Sequence, residues 1–259
     1  MSIINRTLTV TADGEPLSFS GRIRLRGKDD LSLFPSLFTL EMWNLPEALY
    51  LRLFRAREIA VSHEGACLVS GRIRDVFRQG TEAGILTSVS VSLGLELWEA
   101  PVSVSVPSGS SVSGAVRAIL SASGTGIPLL SFPDPDPVSS RGRVFFGRAS
   151  ECIAEALSDA SCRPMLTPSG LMAVPASGPL EAVRVTAADL TDAPVFIGGV
   201  NRIGPRGMIL SVAVSGWRPG QTAELDTPGV HARGIVTGRS VDADTGDGAW
   251  KCEMVLELI

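Results

Sequence analysis

Polar and apolar residues alternate through much of the first hundred positions. Arg6-Thr7-Leu8-Thr9-Val10-Thr11 alternates, and Asp13-Gly14 follows, a dipeptide that tolerates the positive φ of a tight hairpin turn. Leu17-Ser18-Phe19 and Arg22-Ile23-Arg24-Leu25-Arg26 alternate again. Phe38, Leu40 and Met42 share a face of the next strand. The pattern predicts a short helix around 48–54, then strands at 59–63 and 67–76 separated by a Glu64-Gly65 turn. The clearest strand is 85–93, with Ser88, Ser90 and Ser92 on one face. Ile85, Thr87, Val89, Val91 and Leu93 lie on the other. Many short strands with turn signals between them predict a barrel or sandwich.

The period then changes. Val112, Val116, Ile119 and Leu120 have helical spacing behind Ser108-Gly109-Ser110-Ser111, which supplies an N-cap serine, and Gly124-Thr125-Gly126 ends the helix. Pro133-Asp134-Pro135-Asp136-Pro137 reads as a loop. Arg143-Val144-Phe145-Phe146 is a short strand. A second helix follows with Ser150 as N-cap and Ile153, Ala156, Leu157 and Ala160 on one face. Residues 165–167 and 171–174 form a hairpin around Pro168-Ser169-Gly170. The last eighty residues return to β, with strands at 195–197, 208–214, 222–225, 234–241 and 250–258. The expected fold is mainly β (α+β). Two related small β-barrel domains, 1–100 and 179–259, flank a small α/β domain, 101–178.

The relation between the β regions is an internal match. Leu68-Val69-Ser70-Gly71-Arg72-Ile73-Arg74-Asp75 aligns with Ile235-Val236-Thr237-Gly238-Arg239-Ser240-Val241-Asp242, with Val, Gly, Arg and Asp identical. Each segment leads through a Gly-containing turn into a long alternating strand. A glycine inside a strand marks a bulge or bend, which a small barrel requires.

Composition narrows the function. The chain has 259 residues, 44% of them apolar and 19% charged, enough apolar content for packed cores. A net charge of −4 argues against a protein built to grip phosphate backbones. No apolar run reaches the ~18 residues of a transmembrane helix. Met1-Ser2-Ile3-Ile4-Asn5-Arg6 turns polar too early for a signal peptide. Cys67, Cys152, Cys162 and Cys252 form no CxxC pair and read as reduced, mostly buried thiols. With Cys152 and Cys162 on one helix they would lie about 15 Å apart, too far for a disulfide.

Candidate chemistry is sparse. There is no GxSxG elbow, P-loop, HExxH or EF-hand loop. Gly124-Thr125-Gly126 and Gly198-Gly199-Val200-Asn201-Arg202-Ile203-Gly204 lack dinucleotide-binding spacing. His63 and His231 read as turn or surface histidines. Asp242, Asp244 and Asp247 are spaced loosely like a calcium loop but lack its closing Glu, so an acidic hairpin turn is expected. Asp134 and Asp136 read as a solvated loop, and Arg22, Arg24 and Arg26 as a solvated strand face in preference to an interface. No catalytic, cofactor-binding or metal-ligating residue is assigned; no cofactor and no enzymatic activity are expected.

The order of these pieces resembles the baseplate hub proteins of tailed phages, notably the Mu-like contractile-tailed group. An early strand ends in an Asn-Leu pair, here Phe38-Thr39-Leu40-Glu41-Met42-Trp43-Asn44-Leu45. A strand with a central glycine follows, here Leu68-Val69-Ser70-Gly71-Arg72-Ile73. Then come a Gly-Ser helix start, Ser108-Gly109-Ser110-Ser111-Val112-Ser113-Gly114-Ala115-Val116, and a Pro-Gly turn in Trp217-Arg218-Pro219-Gly220-Gln221. The last piece is Asp244-Thr245-Gly246-Asp247-Gly248-Ala249-Trp250. A histidine usual near the start of the final turn is replaced here by Ser240-Val241-Asp242. The resemblance implies a homotrimer whose paired barrels make a ring of six positions between tail tube and central spike. Its channel would pass the tape-measure protein and then DNA without specific binding. The resemblance further implies location in the virion tail baseplate, assembly in the bacterial host cytoplasm and no membrane partner. The alternatives are a tube-initiator or spike-adjacent part of another contractile injection particle, and an unrelated all-β binding module. The latter is disfavoured because Trp43, Trp98 and Trp250 fall in strand-like stretches rather than on a displayed aromatic surface.

Overall fold

The computed structural model describes residues 6–176, 182–198 and 205–259. In chain order the first β region contains β1 (Thr9–Ala12), β2 (Glu15–Pro16), β3 (Ile23–Asp30), β4 (Ser36–Trp43), α1 (Glu47–Arg55), β5 (Glu58–His63), β6 (Ala66–Thr81) and β7 (Gly84–Leu93). The middle contains α2 (Leu95–Glu99), β8 (Pro101–Val106), α3 (Val112–Ser123), β9 (Leu129–Ser131), β10 (Arg143–Arg148), α4 (Ala149–Ser158), β11 (Cys162–Thr167) and β12 (Gly170–Pro175). The last region contains β13 (Ala182–Thr186), β14 (Val195–Gly198), β15 (Pro205–Ala213), β16 (Thr222–Thr227), β17 (Val230–Asp244) and β18 (Trp250–Leu258).

Local chemistry accounts for most of these elements. Asp13 and Gly14 both take positive φ, as do Glu64 and Gly65, so each pair closes a two-residue hairpin turn. The Ser111 hydroxyl accepts the Gly114 amide and starts α3, and Gly124, in the left-handed region, stops it. Ser150 is not a cap. β10 runs directly into α4, with the Ala149 amide donating to the Ala100 carbonyl, which starts the helix at Ala149 and buries Ser150 inside it. Cys162 lies on β11 rather than on α4, and all four cysteines are free thiols. Trp98 lies on α2 and stacks on Phe34 with ring centroids 4.8 Å apart.

The mainly β fold is as expected, but the hydrogen bonding does not divide into two closed barrels. β1–β7 and β13–β18 form one thirteen-stranded sheet, and among the described residues no strand pair closes either half into a ring. The joint is the antiparallel pairing of β3 with the C-terminal half of β17, Arg24 opposite Asp244 through Asp30 opposite Gly238. Leu25, Phe38, Leu40, Met42, Val89 and Val91 from the first half pack in one apolar cluster with Met208, Leu210, Val241, Cys252 and Met254 from the second. α3 and α4 pack with β8, β10 and β12 around a separate cluster that includes Val116, Ile119, Phe145, Ile153 and Leu157.

The two halves repeat one pairing order. In the first, neighbours run β3-β4-β7-β6-β5-β1; in the second, β14-β15-β18-β17-β16-β13. The match fails in one detail: β1 is antiparallel to β5, whereas β13 is parallel to β16. The strands carrying the sequence repeat, β6 and β17, hold the same place and are the longest, because each passes from one partner to another along its length.

Candidate functional site: the joint and the polar sheet face

The joint is built on the arginine stripe. Alternation along β3 sends Ile23 and Leu25 into the core and Arg24, Arg26 and Lys28 to the opposite face. Pairing with β17 sets acids beside them. Arg24 makes a bidentate pair with Asp242 at 3.0 and 2.9 Å. Arg22, just before β3, pairs with Asp244 at 3.0 and 2.6 Å and lies over the Trp43 ring at 4.6 Å. Arg26 pairs with Glu41 on β4 at 2.9 Å. The stripe therefore forms an interface within the chain while Arg22 and Arg26 remain 44% and 46% exposed, so it is both a joint and a solvated face. A period-two pattern cannot reveal the pairing, since Asp242 and Asp244 lie more than 200 residues away in sequence from Arg24 and Arg22; only Glu41, the partner of Arg26, is on a neighbouring strand of the same half.

The aspartates expected in a turn separate by role. Asp242 and Asp244 belong to β17, and the turn begins after them. Asp244 is fully buried and also accepts the Gly246 amide at 2.9 Å. Burial works to raise its carboxyl, but the Arg22 and Gly246 hydrogen bonds and the Arg22 and Arg24 charges outweigh it and hold it below the ordinary aspartate value. The Thr245 hydroxyl accepts the Ile23 amide at 2.9 Å, closing the end of the joint.

At the other end lies a buried ion pair that the sequence does not disclose. The Arg239 side chain is 2% exposed and that of Asp29 13%. Arg239 donates to both Asp29 oxygens at 2.9 and 2.7 Å, to the Trp217 carbonyl at 2.9 Å and to the Leu68 carbonyl at 2.8 Å. Nearby, Arg218 donates to the Cys67 carbonyl at 2.9 Å. One guanidinium thus ties β17 to β3 and β6. Its identity with Arg72 in the repeat was a signal, but Arg72 itself is exposed.

The remaining candidates fall elsewhere. His63 is buried at the end of β5 rather than on the surface; its Nδ1 is 2.8 Å from the Thr7 carbonyl and its ring meets Trp250 edge-on at 5.0 Å. His231 is exposed beside the β16–β17 turn, its Nδ1 3.0 Å from Asp226. Asp136 is not simply solvated: it accepts the Ser113 amide at 3.1 Å and caps α3. Gly124-Thr125-Gly126 ends α3, and Gly199 through Gly204 lie outside the described residues. The structure brings together Arg22, Arg24, Arg26, Asp242 and Asp244, and leaves the histidines and Asp136 apart. With Ser88, Ser90, Thr39, Glu41 and Ser240, these charges lie on one mostly polar face across β7-β4-β3-β17, which Leu37 and Trp43 share. That arrangement binds strands to one another through compensated charge.

No family model and no curated protein sequence matches the chain. Solved structures do. A tail protein from Neisseria meningitidis matches with a TM-score of 0.70 and 12% identity, over 96% of this chain and 95% of that one. The tail protein of prophage MuSo2 from Shewanella oneidensis matches at 0.67 and 12%, over 97% and 98%. The chain has the fold of phage tail proteins. An E. coli component of the type VI secretion system, described as structurally similar to the T4 tail proteins gp27 and gp5, shares this tail-protein fold at 0.68 and 12%, over 96% of this chain and 76% of that one. The tail-protein fold thus spans both β halves and the α/β part between them. No helix among the described residues is long and apolar enough to cross a membrane.

Proposed function

We propose that this chain is a structural baseplate hub protein of a phage or prophage tail. Three copies form a ring of six β units that joins a sixfold tail tube to a threefold central spike. The carrying observation is that one chain holds two β units of the same six-strand pairing order. Two units per chain and three chains give six similar positions on one side while the molecule keeps threefold symmetry. The tail-protein likeness supports the setting. We take 1–100 and 179–259 as the paired units and 101–178 as a distinct middle domain. The polar face, with its arginines already paired to acids, suits a channel wall past which tape-measure protein and DNA slide, since unpaired basic residues would hold phosphates. The role involves no catalytic step.

The likeness to the type VI component favours one second reading, the same ring in a different contractile injection particle. Light scattering behind a sizing column tests the ring itself. Against a 27.2 kDa chain, a mass of three chains is expected. A stable dimer would overturn the proposal, because twofold symmetry cannot join a sixfold tube to a threefold spike. Recovery of the chain in purified induced phage particles separates the two readings.

A further inference from the structure

The paired units leave one joint used and one half-built. Within the chain, the outermost strand of the first unit, β3, pairs with the C-terminal half of β17 in the second. β14 holds the place of β3 in the second unit, at the end of the sheet, and no strand among the described residues pairs with its outer edge. β6 holds the place of β17 in the first unit. Arg72 lies opposite the first residue of β5 and the Ile73 amide donates to the Arg57 carbonyl; beyond them, the strand pairing along Asp75–Thr81 is with β7 alone.

Exposure marks the same two edges. Leu25 on β3 faces Leu40 and, covered by β17, is 0% exposed. Phe196 on β14 faces the buried Met208 in the matching place and is 46% exposed. Its neighbours Val195 and Ile197 are 56% and 40% exposed, and Phe77 on β6 is 48% exposed. Val195-Phe196-Ile197-Gly198 carries no charge, although sheet edges that face water are ordinarily protected by charge, proline or a covering segment.

We infer that β14 of one copy pairs antiparallel with the 75–81 segment of β6 in the next, repeating between chains the joint that β3 and β17 make within one. The occupant is a second copy of this chain, since the β3–β17 joint already displays the complementary geometry. The contact is head-to-tail, so its repetition builds a ring or a filament according to the rotation between units. The inference rests on the ring reading for closure at three.

The test places the photo-cross-linker p-benzoylphenylalanine at position 196, with light scattering on the native chain, Phe196→Asp and Val138→Asp. Val138 is 64% exposed on the middle part, away from both edges. The expected result is a native trimer, a trimeric Val138→Asp, a monomeric Phe196→Asp, and two-chain adducts mapping to 75–81. A native trimer whose adducts map elsewhere, or that survives Phe196→Asp, overturns the joint and leaves the ring standing. A native monomer at every concentration, with no two-chain adduct, overturns both.

Discussion

Removing Asp29 tests the joint most directly. Asp29→Ala deletes the carboxylate that takes two of the four hydrogen bonds from Arg239, leaving only the Trp217 and Leu68 carbonyls. With Asp29 in place the Arg239 side chain is only 2% exposed, so its charge relies on that carboxylate rather than on water. Breaking a buried pair from one side costs about 3–5 kcal/mol, because an uncompensated charge remains in the interior. That is a large share of the ~5–15 kcal/mol that typically holds a protein folded. The Arg184–Asp226 pair, with side chains 70% and 40% exposed, is the internal control; water screens it, and losing it should cost far less. The assay is urea unfolding, with the free energies compared at constant slope. Adding Arg239→Met to Asp29→Ala should recover much of the loss, since the buried charge goes with its partner. The reasoning is refuted if Asp29→Ala costs no more than Asp226→Ala, or if the double variant is worse than Asp29→Ala alone.

Asp244 makes acid stability depend on the joint. Its folded carboxyl ionises at lower pH than the unfolded one, so its contribution is present above the ordinary value of about 4 and is lost as pH falls through the folded value. Asp244→Asn should therefore be less stable near neutrality and show a shallower loss of stability on acidification, read from unfolding curves between about pH 2 and 7. The two repeat glycines should behave differently. A Cβ at Gly71 would lie 2.5 Å from the Ser92 carbonyl oxygen, whereas at Gly238 the nearest atom is 3.7 Å away. Gly71→Ala should cost about 1–3 kcal/mol as backbone is forced apart, and Gly238→Ala about 0.5 kcal/mol or less; equal losses in thermal melts would refute the distinction. Ser111→Ala should cost about 1 kcal/mol through the lost α3 cap, seen as a lower melting temperature.

Alternation and turn chemistry carried most of the fold in the sequence. Asp13-Gly14 and Glu64-Gly65 close the hairpins they promise, and Trp250, Cys252, Met254 and Leu256 all face the core. β8 was missed although Val102-Ser103-Val104-Ser105-Val106 alternates and was legible, whereas β13 gains its meaning from a parallel partner 40 residues on. Ser150 misled because a serine before a helical pattern has the signature of a cap, while the helix start was fixed by a tertiary bond from Ala149 to Ala100. The Arg22, Arg24 and Arg26 stripe was visible, but Asp242 and Asp244 were not visible as its partners, since local pattern holds no information about residues brought together by a joint between distant strands. His63 failed for the same reason: its burial depends on Trp250.

The two joints of the proposed ring differ in chemistry, and the difference follows from where the repeat has diverged. The joint within the chain holds Arg239 against Asp29, a buried charge pair whose partners fold together once. The matching Arg72 is exposed, and Val195-Phe196-Ile197-Gly198 offers it no carboxylate. An apolar edge is the better joint between chains, because each must exist free in water before it assembles. A half-made buried ion pair would leave a desolvated charge on association, whereas three apolar side chains lose water and gain contact. The six joints of the ring would then alternate between ionic and apolar. Its sixfold symmetry would be a matter of backbone shape, and its threefold symmetry would be written in side chains.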